Sequence, residues 1–334
     1  MRNNQLKLRW LIILLLVASS SFSGCRLITN SRAGMQVKVN NYFKEDGQKY
    51  PKLDDKLFTL KMRVSGVITP QKFVKEIGVW IFLTEPYDPK KIPLLLVHGH
   101  WSGPPPLQEL SESIDRTRFQ PWFVYYPSGL DVRKTAQMLA INLARLADYY
   151  KKDEIPVIAY SMGGVVARQA IIKGQQMEGF PHIPLFIGVA NPWDGSIKTN
   201  SGSKTAIMAN PDEGFSYGAE SWKQVYNHSP YIRGIFKYSL PKETEFHIIY
   251  SVGGHNSKLP GRDDGVLHEA SLARPEAVAE AKSVTVLETP THQNIISHYL
   301  AIKRINEILN SWPDKNKNSE PVKKKEVEEE SKNQ

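Results

Sequence analysis

The sequence predicts an α/β protein: a doubly wound, mostly parallel sheet with an inserted cap. Three observations carry that prediction. Leu94-Leu95-Leu96-Val97 is a continuous apolar run of strand length, as expected where both faces are covered. Runs of this kind alternate with amphipathic stretches as far as Leu309, which is the pattern of βα units with right-handed crossovers. The alternation is interrupted once, between Pro192 and Pro241.

Taken in order, residues 57 to 83 carry β-branched residues in near alternation and predict two or three antiparallel strands, over Leu57-Phe58-Thr59-Leu60, Val64, Val67-Ile68 and Val79-Trp80-Ile81-Phe82. After the Leu94–Val97 strand, a helical stretch is expected around Leu107 to Asp115 and a strand at Trp122 to Tyr126. Leu139, Leu143, Leu146 and Tyr150 recur at three- and four-residue spacing, so a helix over 132–150 has one core face. Val157 to Tyr160 then reads as a strand, Gly163 to Gln176 as a helix and Leu185 to Ala190 as a strand. Phe246 to Val252 and Val284 to Leu287 are further strands, and Ile295 to Leu309 is a closing helix. The stretch at about 192–241 sets Trp193, Trp222, Tyr226, Tyr231 and Phe236 among polar residues; about 50 residues without a core strand exceed an ordinary connection, so a cap is expected there.

The composition narrows the class. Of 334 residues, 41% are hydrophobic and 23% charged, which excludes a disordered or collagen-like chain. A single cysteine excludes an intramolecular disulfide scaffold, and no Cys/His cluster has structural-zinc spacing. Residues 1–24 hold Arg2, Lys7 and Arg9 ahead of the apolar run Trp10 to Ala18, which is short for a spanning helix and right for a signal-peptide core. Phe22-Ser23-Gly24-Cys25 resembles the lipobox of bacterial lipoproteins, with Phe22 in place of the usual leucine. The resemblance implies that Cys25 becomes a lipidated N-terminus on a membrane, and Arg26 favours the outer membrane, facing the periplasm, if the source is Gram-negative. The domain organisation expected is therefore a signal peptide over 1–24, a linker over 25–49, an α/β domain with its cap over 50–312 and a charged tail over 313–334. The net charge of +9 falls to +6 without the basic residues of 1–24, and the tail is neutral; without a basic cluster or motif, nucleic acid is not an expected partner.

The most specific local signal is Ala159-Tyr160-Ser161-Met162-Gly163-Gly164, between a predicted strand and a predicted helix. A serine on such a turn projects Oγ above the sheet edge, and small flanking residues let neighbouring backbone pass. The segment resembles the nucleophile elbow of the α/β-hydrolase fold family, with Ala159 at the position of the first glycine. His98-Gly99-His100-Trp101, after the Leu94–Val97 strand, resembles that family's oxyanion loop. The resemblance implies Ser161 as nucleophile and the N–H groups of Met162 and His100 as oxyanion donors, with His98 a structural histidine bracing the loop. Gly261-Arg262-Asp263-Asp264-Gly265-Val266-Leu267 looks like the segment bearing the triad acid, which implies Asp264, with Asp263 as runner-up; Thr289-Pro290-Thr291-His292 stands where the family's catalytic histidine sits. His298 is expected inside the closing helix, in a surface or packing role, and His255 and His268 are left without a role.

The order Ser, Asp, His along the chain is that of α/β-hydrolase esterases and lipases. The activity implied is cleavage of carboxylic esters, with lipid-like or other hydrophobic acyl groups as substrates and no metal or organic cofactor. Alternatives are an acyltransferase using the same triad and a non-catalytic binding lipoprotein of the same fold. Trp101, Pro104 to Pro106, Trp193 and the aromatics from Trp222 to Phe236 either line an acyl groove or pack the cap onto the core. Oligomeric state is not legible.

Overall fold

The computed structural model describes residues 50–196, 219–227, 229–256, 259 and 261–313. The expected signal peptide, Cys25, the linker over 25–49, most of the tail and the middle of the expected cap, 197–218, lie outside the described residues.

Seven strands form one sheet: β1 (Trp80–Phe82), β2 (Ile92–Val97), β3 (Phe119–Tyr125), β4 (Val157–Tyr160), β5 (Leu185–Val189), β6 (Glu245–Ser251) and β7 (Ser283–Leu287), in the spatial order β1-β3-β2-β4-β5-β6-β7. Every pairing is parallel except β1 against β3, which is antiparallel. Strands β2 to β5 are buried along their whole length, which requires cover on both faces and explains their mainly apolar sequences, with Gln120 of β3 the polar exception. The last strand, β7, alternates between exposed and half-buried residues, as an edge strand does.

The long helix α4 (Val132–Tyr150) starts at Asp131, whose carboxylate accepts the N–H groups of Arg133 and Lys134 at 2.8 and 3.2 Å, and buries Leu139 and Leu143. It packs against α5 (Met162–Gly174), which follows the central strand β4. On another side α10 (Tyr299–Ser311) is tied to α3 (Gln108–Ser113), the Asn306 side-chain amide donating to the Ser113 carbonyl at 3.1 Å.

Two expectations need correction. Residues 57 to 76 hold no strand: a short turn at Lys56–Phe58 leads into α1 (Leu60–Ile68) and α2 (Pro70–Glu76), and only Trp80–Phe82 pairs antiparallel. Leu60, Val64, Val67 and Ile68 are spaced by four, three and one, which is one helical face, and Pro70 opens the second helix where its missing N–H costs nothing. Tertiary packing settles the matter, because Phe58 and Phe73 both meet the buried Tyr125 edge-on, at centroid distances of 5.1 and 5.0 Å. The closing helix begins at Tyr299 and not at Ile295; His298 is its N-cap, accepting the Leu300 N–H at 3.3 Å.

Between β5 and β6 the described residues contain two short helices, α6 (Glu220–Val225) and α7 (Pro230–Arg233), and no strand. Helix α6 is seated by buried polar groups: Gln224 accepts the Val132 N–H at 2.6 Å and donates to Asp131 at 2.8 Å, and the Ser221 hydroxyl donates to the Ser128 carbonyl at 2.7 Å. Phe236, further along, has two guanidinium groups over its ring, that of Arg168 at 4.2 Å and that of Arg274 at 5.1 Å from the centroid.

Candidate active site

Strand β4 ends at Tyr160, α5 begins at Met162, and Ser161 between them has φ 52° and ψ −131°. A non-glycine residue in that region carries strain of about 1–3 kcal/mol, which persists only where the surroundings enforce it. Here they do: the Ser161 N–H donates to the Val189 carbonyl at 2.8 Å, and the Ser161 carbonyl accepts from the Gly164 N–H at 3.0 Å and from the Asn191 amide at 2.8 Å. Gly163 is required by close approach, since a Cβ there would run into the His98 carbonyl oxygen.

Ser161 Oγ lies 2.9 Å from His292 Nε2, and His292 Nδ1 lies 2.6 Å from Asp264 Oδ2. A ring nitrogen facing a carboxylate carries the hydrogen, so Nε2 is left as the acceptor for the serine proton. The other carboxylate oxygen of Asp264 accepts the Val266 and Leu267 N–H groups at 2.9 and 2.6 Å, which fixes its rotamer. Asp263 faces elsewhere: it accepts the N–H groups of Gly265 at 2.6 Å and Asn256 at 3.2 Å and so closes its own loop. All three of Ser161, Asp264 and His292 are buried.

Met162 is the first residue of α5, so its N–H has no partner within the helix. His100 stands on the loop after β2, where Gly99 is so close to the elbow that a Cβ would lie 2.8 Å from that of Ser161. His98 is fully buried and stacked on Tyr126 at 4.2 Å; its Nε2 accepts the Tyr126 N–H at 3.3 Å and its Nδ1 lies 2.8 Å from the Gly99 carbonyl. Burial pushes its pKa down to about 3, so it stays neutral and braces the loop. His100 is also held neutral by burial, its pKa lowered to about 4. Its Nδ1 lies 3.0 Å from the Ser128 carbonyl and its Nε2 accepts the indole N–H of Trp222, so one imidazole ties the loop after β2 to helix α6.

A cavity of 290 Å³ opens at Ser161 and is lined mainly by apolar groups, among them Trp101, Met162, Pro192, Trp222, Val225 and Leu267. The aromatics singled out in the sequence thus divide. Trp101 and Trp222 line the cavity, whereas Trp193 is fully buried against Phe186, Phe236 and Phe246 and packs the core. His255 is exposed, and His268 caps the short helix α8 (Glu269–Leu272) by accepting the Ala270 N–H at 3.0 Å. Among the described residues, no group of three or more His, Cys, Asp or Glu is placed to hold a metal ion.

Sequence reading assigned nothing to Asn191, whose amide nitrogen reaches the carbonyls of Ala159, Ser161 and Val189 at 3.0, 2.8 and 3.2 Å. Its only signal is position, the first polar residue after the apolar strand β5. Ser128 and Gln224 were missed too, because they act through segments distant in the chain.

Residues 94–215 match the sequence model of the family described as "Putative serine esterase (DUF676)". Among solved structures, the chain is similar to lipase BlEst2 of Bacillus licheniformis in mature form (TM-score 0.55, 16% identity, covering 69% of this chain and 98% of that one). It is also similar to the metagenomic carboxyl esterase MGS0156 (TM-score 0.50, 13% identity, 66% and 75% covered) and to Aspergillus fumigatus lipase B (TM-score 0.50, 14% identity, 69% and 55% covered). No curated protein matches the chain. The fold is the α/β-hydrolase fold, as the motifs predicted. With the serine esterase match across its central strands and elbow, the chain is a carboxylic ester hydrolase.

Proposed function

We propose that this chain cleaves esters of apolar acyl groups through a Ser161–His292–Asp264 triad and an acyl-enzyme. The observation that carries the reading is the unbroken chain of contacts from Ser161 Oγ to His292 Nε2, 2.9 Å, and from His292 Nδ1 to Asp264 Oδ2, 2.6 Å, at the floor of an apolar cavity. His292 takes the proton of Ser161 as Oγ attacks the acyl carbonyl, and Asp264 stabilises the imidazolium without taking the proton itself. The N–H groups of Met162 and His100 receive the oxyanion, each worth roughly 3 kcal/mol in comparable sites. His292 then gives its proton to the leaving alkoxide, and water repeats the sequence on the acyl-enzyme to release the acid. The apolar wall, with Trp101 and Trp222, suits a hydrocarbon acyl chain, and among the described residues no lysine or arginine lines the cavity. Export and membrane attachment through a lipidated Cys25 are part of the proposal and would bring the site to lipid-like esters; Cys25→Ser should move the protein from the membrane to the soluble fraction.

The test is a fluorophosphonate probe together with p-nitrophenyl ester turnover. Wild type should label and turn over, while a folded Ser161→Ala should do neither, with turnover reduced about 10⁴-fold or more. Equal turnover by Ser161→Ala would overturn the assignment.

A further inference from the structure

The base of such a site must keep one ring nitrogen on the nucleophile while its charge changes, and the question is what holds the main chain that carries the ring. His292 sits on the loop between β7 and α10, away from regular structure. Its N–H donates to the Asp264 carbonyl at 2.7 Å, and its own carbonyl accepts the Tyr160 hydroxyl at 2.5 Å. The residue is thus gripped on either side of its Cα, from the acid loop on one side and from the end of β4 on the other.

Tyr160 is the residue immediately before Ser161. It is buried, its ring centroid lies 5.5 Å from that of His292, and a Cβ on Gly99 of the oxyanion loop would touch the same ring at 3.3 Å. One side chain therefore contacts the oxyanion loop and the base loop while bonded covalently to the nucleophile. Resting on the triad reading above, we propose that the Tyr160 hydroxyl is a positioning group for His292, holding its main chain so that Nε2 stays on Ser161 Oγ through the catalytic cycle. Burial, with the negative charge of Asp264 nearby, raises the phenol pKa well above its ordinary value, so the hydroxyl remains a donor at every working pH.

A tyrosine that merely satisfies a buried carbonyl predicts something different. Its loss would lower stability and leave the chemistry alone, whereas a positioning role acts on the chemical step, because a misplacement of about 1 Å can cost about 10²-fold in rate. Tyr160→Phe keeps the ring and its packing and removes only the bond to His292. Tyr125→Phe is the matched control: that hydroxyl is also buried and also donates to a carbonyl, that of Leu57 at 3.1 Å, outside the triad and the oxyanion loop.

The experiment measures kcat and KM on p-nitrophenyl esters, the second-order rate of fluorophosphonate labelling, and the melting temperature, for wild type and both variants. The expected result is a fall of about tenfold in kcat and in labelling rate for Tyr160→Phe, with KM within twofold, and no such fall for Tyr125→Phe at a comparable loss of melting temperature. A folded Tyr160→Phe with wild-type kcat and labelling rate would overturn the inference and leave the triad reading standing. The same kcat loss in Tyr125→Phe would also overturn it, assigning the effect to general loosening. A wild-type protein that neither labels nor turns over esters would defeat the triad reading first.

Discussion

Asp264 grips His292 twice: its Oδ2 lies 2.6 Å from the imidazole Nδ1, and its main-chain carbonyl accepts the His292 N–H at 2.7 Å. Its neighbour Asp263 spends both carboxylate oxygens on the loop itself, on Gly265 and Asn256. The two carboxylates are adjacent in sequence and opposite in task.

Asp264→Asn should therefore lower kcat by about 10⁴-fold, since an amide nitrogen facing Nδ1 favours the wrong tautomer. Asp263→Asn should leave kcat within about tenfold and destabilise the fold by about 1 kcal/mol through the weakened loop bonds. Steady-state kinetics on both variants, with thermal melts, checks the pair; a larger kcat loss at Asp263 would reverse the assignment.

Asn191 supports the strained serine from behind. Asn191→Ala leaves the buried carbonyls of Ala159 and Ser161 without its amide and opens a void beside Gly164. The expected outcome is a loss of about 2–3 kcal/mol in denaturant melts together with reduced fluorophosphonate labelling.

Trp222 has two roles that different substitutions separate. Trp222→Phe keeps an aromatic wall and loses the indole N–H bonded to His100, so kcat should fall for short and long acyl esters alike. Trp222→Ala also removes apolar wall, so KM should rise several-fold more for octanoyl than for acetyl esters. A chain-length series measured on both variants distinguishes the two effects.

Acid stability follows from His98 and His100. Burial lowers both pKa values, to about 3 and about 4, from the ordinary value of 6.5. Between that ordinary value and the lowered ones, the unfolded chain binds more protons than the folded one, so stability is complete above about pH 6.5 and is lost as the pH falls towards 4. Each pH unit in that window removes at most about 1.4 kcal/mol per histidine. Melting temperature measured from pH 7 to pH 4 should fall, and less steeply in His98→Gln; an identical slope would show that other groups set the acid limit.

Much of this architecture was legible because its signals are contiguous. The apolar runs at β2, β4 and β5 and the amphipathic period of α4 announce themselves within a few residues of chain. Residues 57 to 76 misled because Val64, Val67 and Ile68 favour strands intrinsically, while the helical spacing they also share is decided by burial of Phe58 and Phe73 on Tyr125. The start of the closing helix was misjudged for a similar reason: Ile295 and Ile296 are buried as a helical face would be, but they belong to the turns before the His298 cap.

The sequence by itself determined the α/β class, the strand–turn–helix around Ser161, and the small set of residues from which a site could be built. Only the tertiary structure decided which of two adjacent aspartates faces His292, which aromatics line the cavity, and that Tyr160 and Asn191 hold the site together. The physical reason is separation along the chain. Ser161 and His292 are 131 residues apart, and Tyr160 reaches the His292 carbonyl across 132, so these bonds exist only once β4, β5, β6 and β7 are assembled in one sheet. Local patterning dictates which backbone forms; hydrogen bonds between distant loops depend on how the formed elements meet.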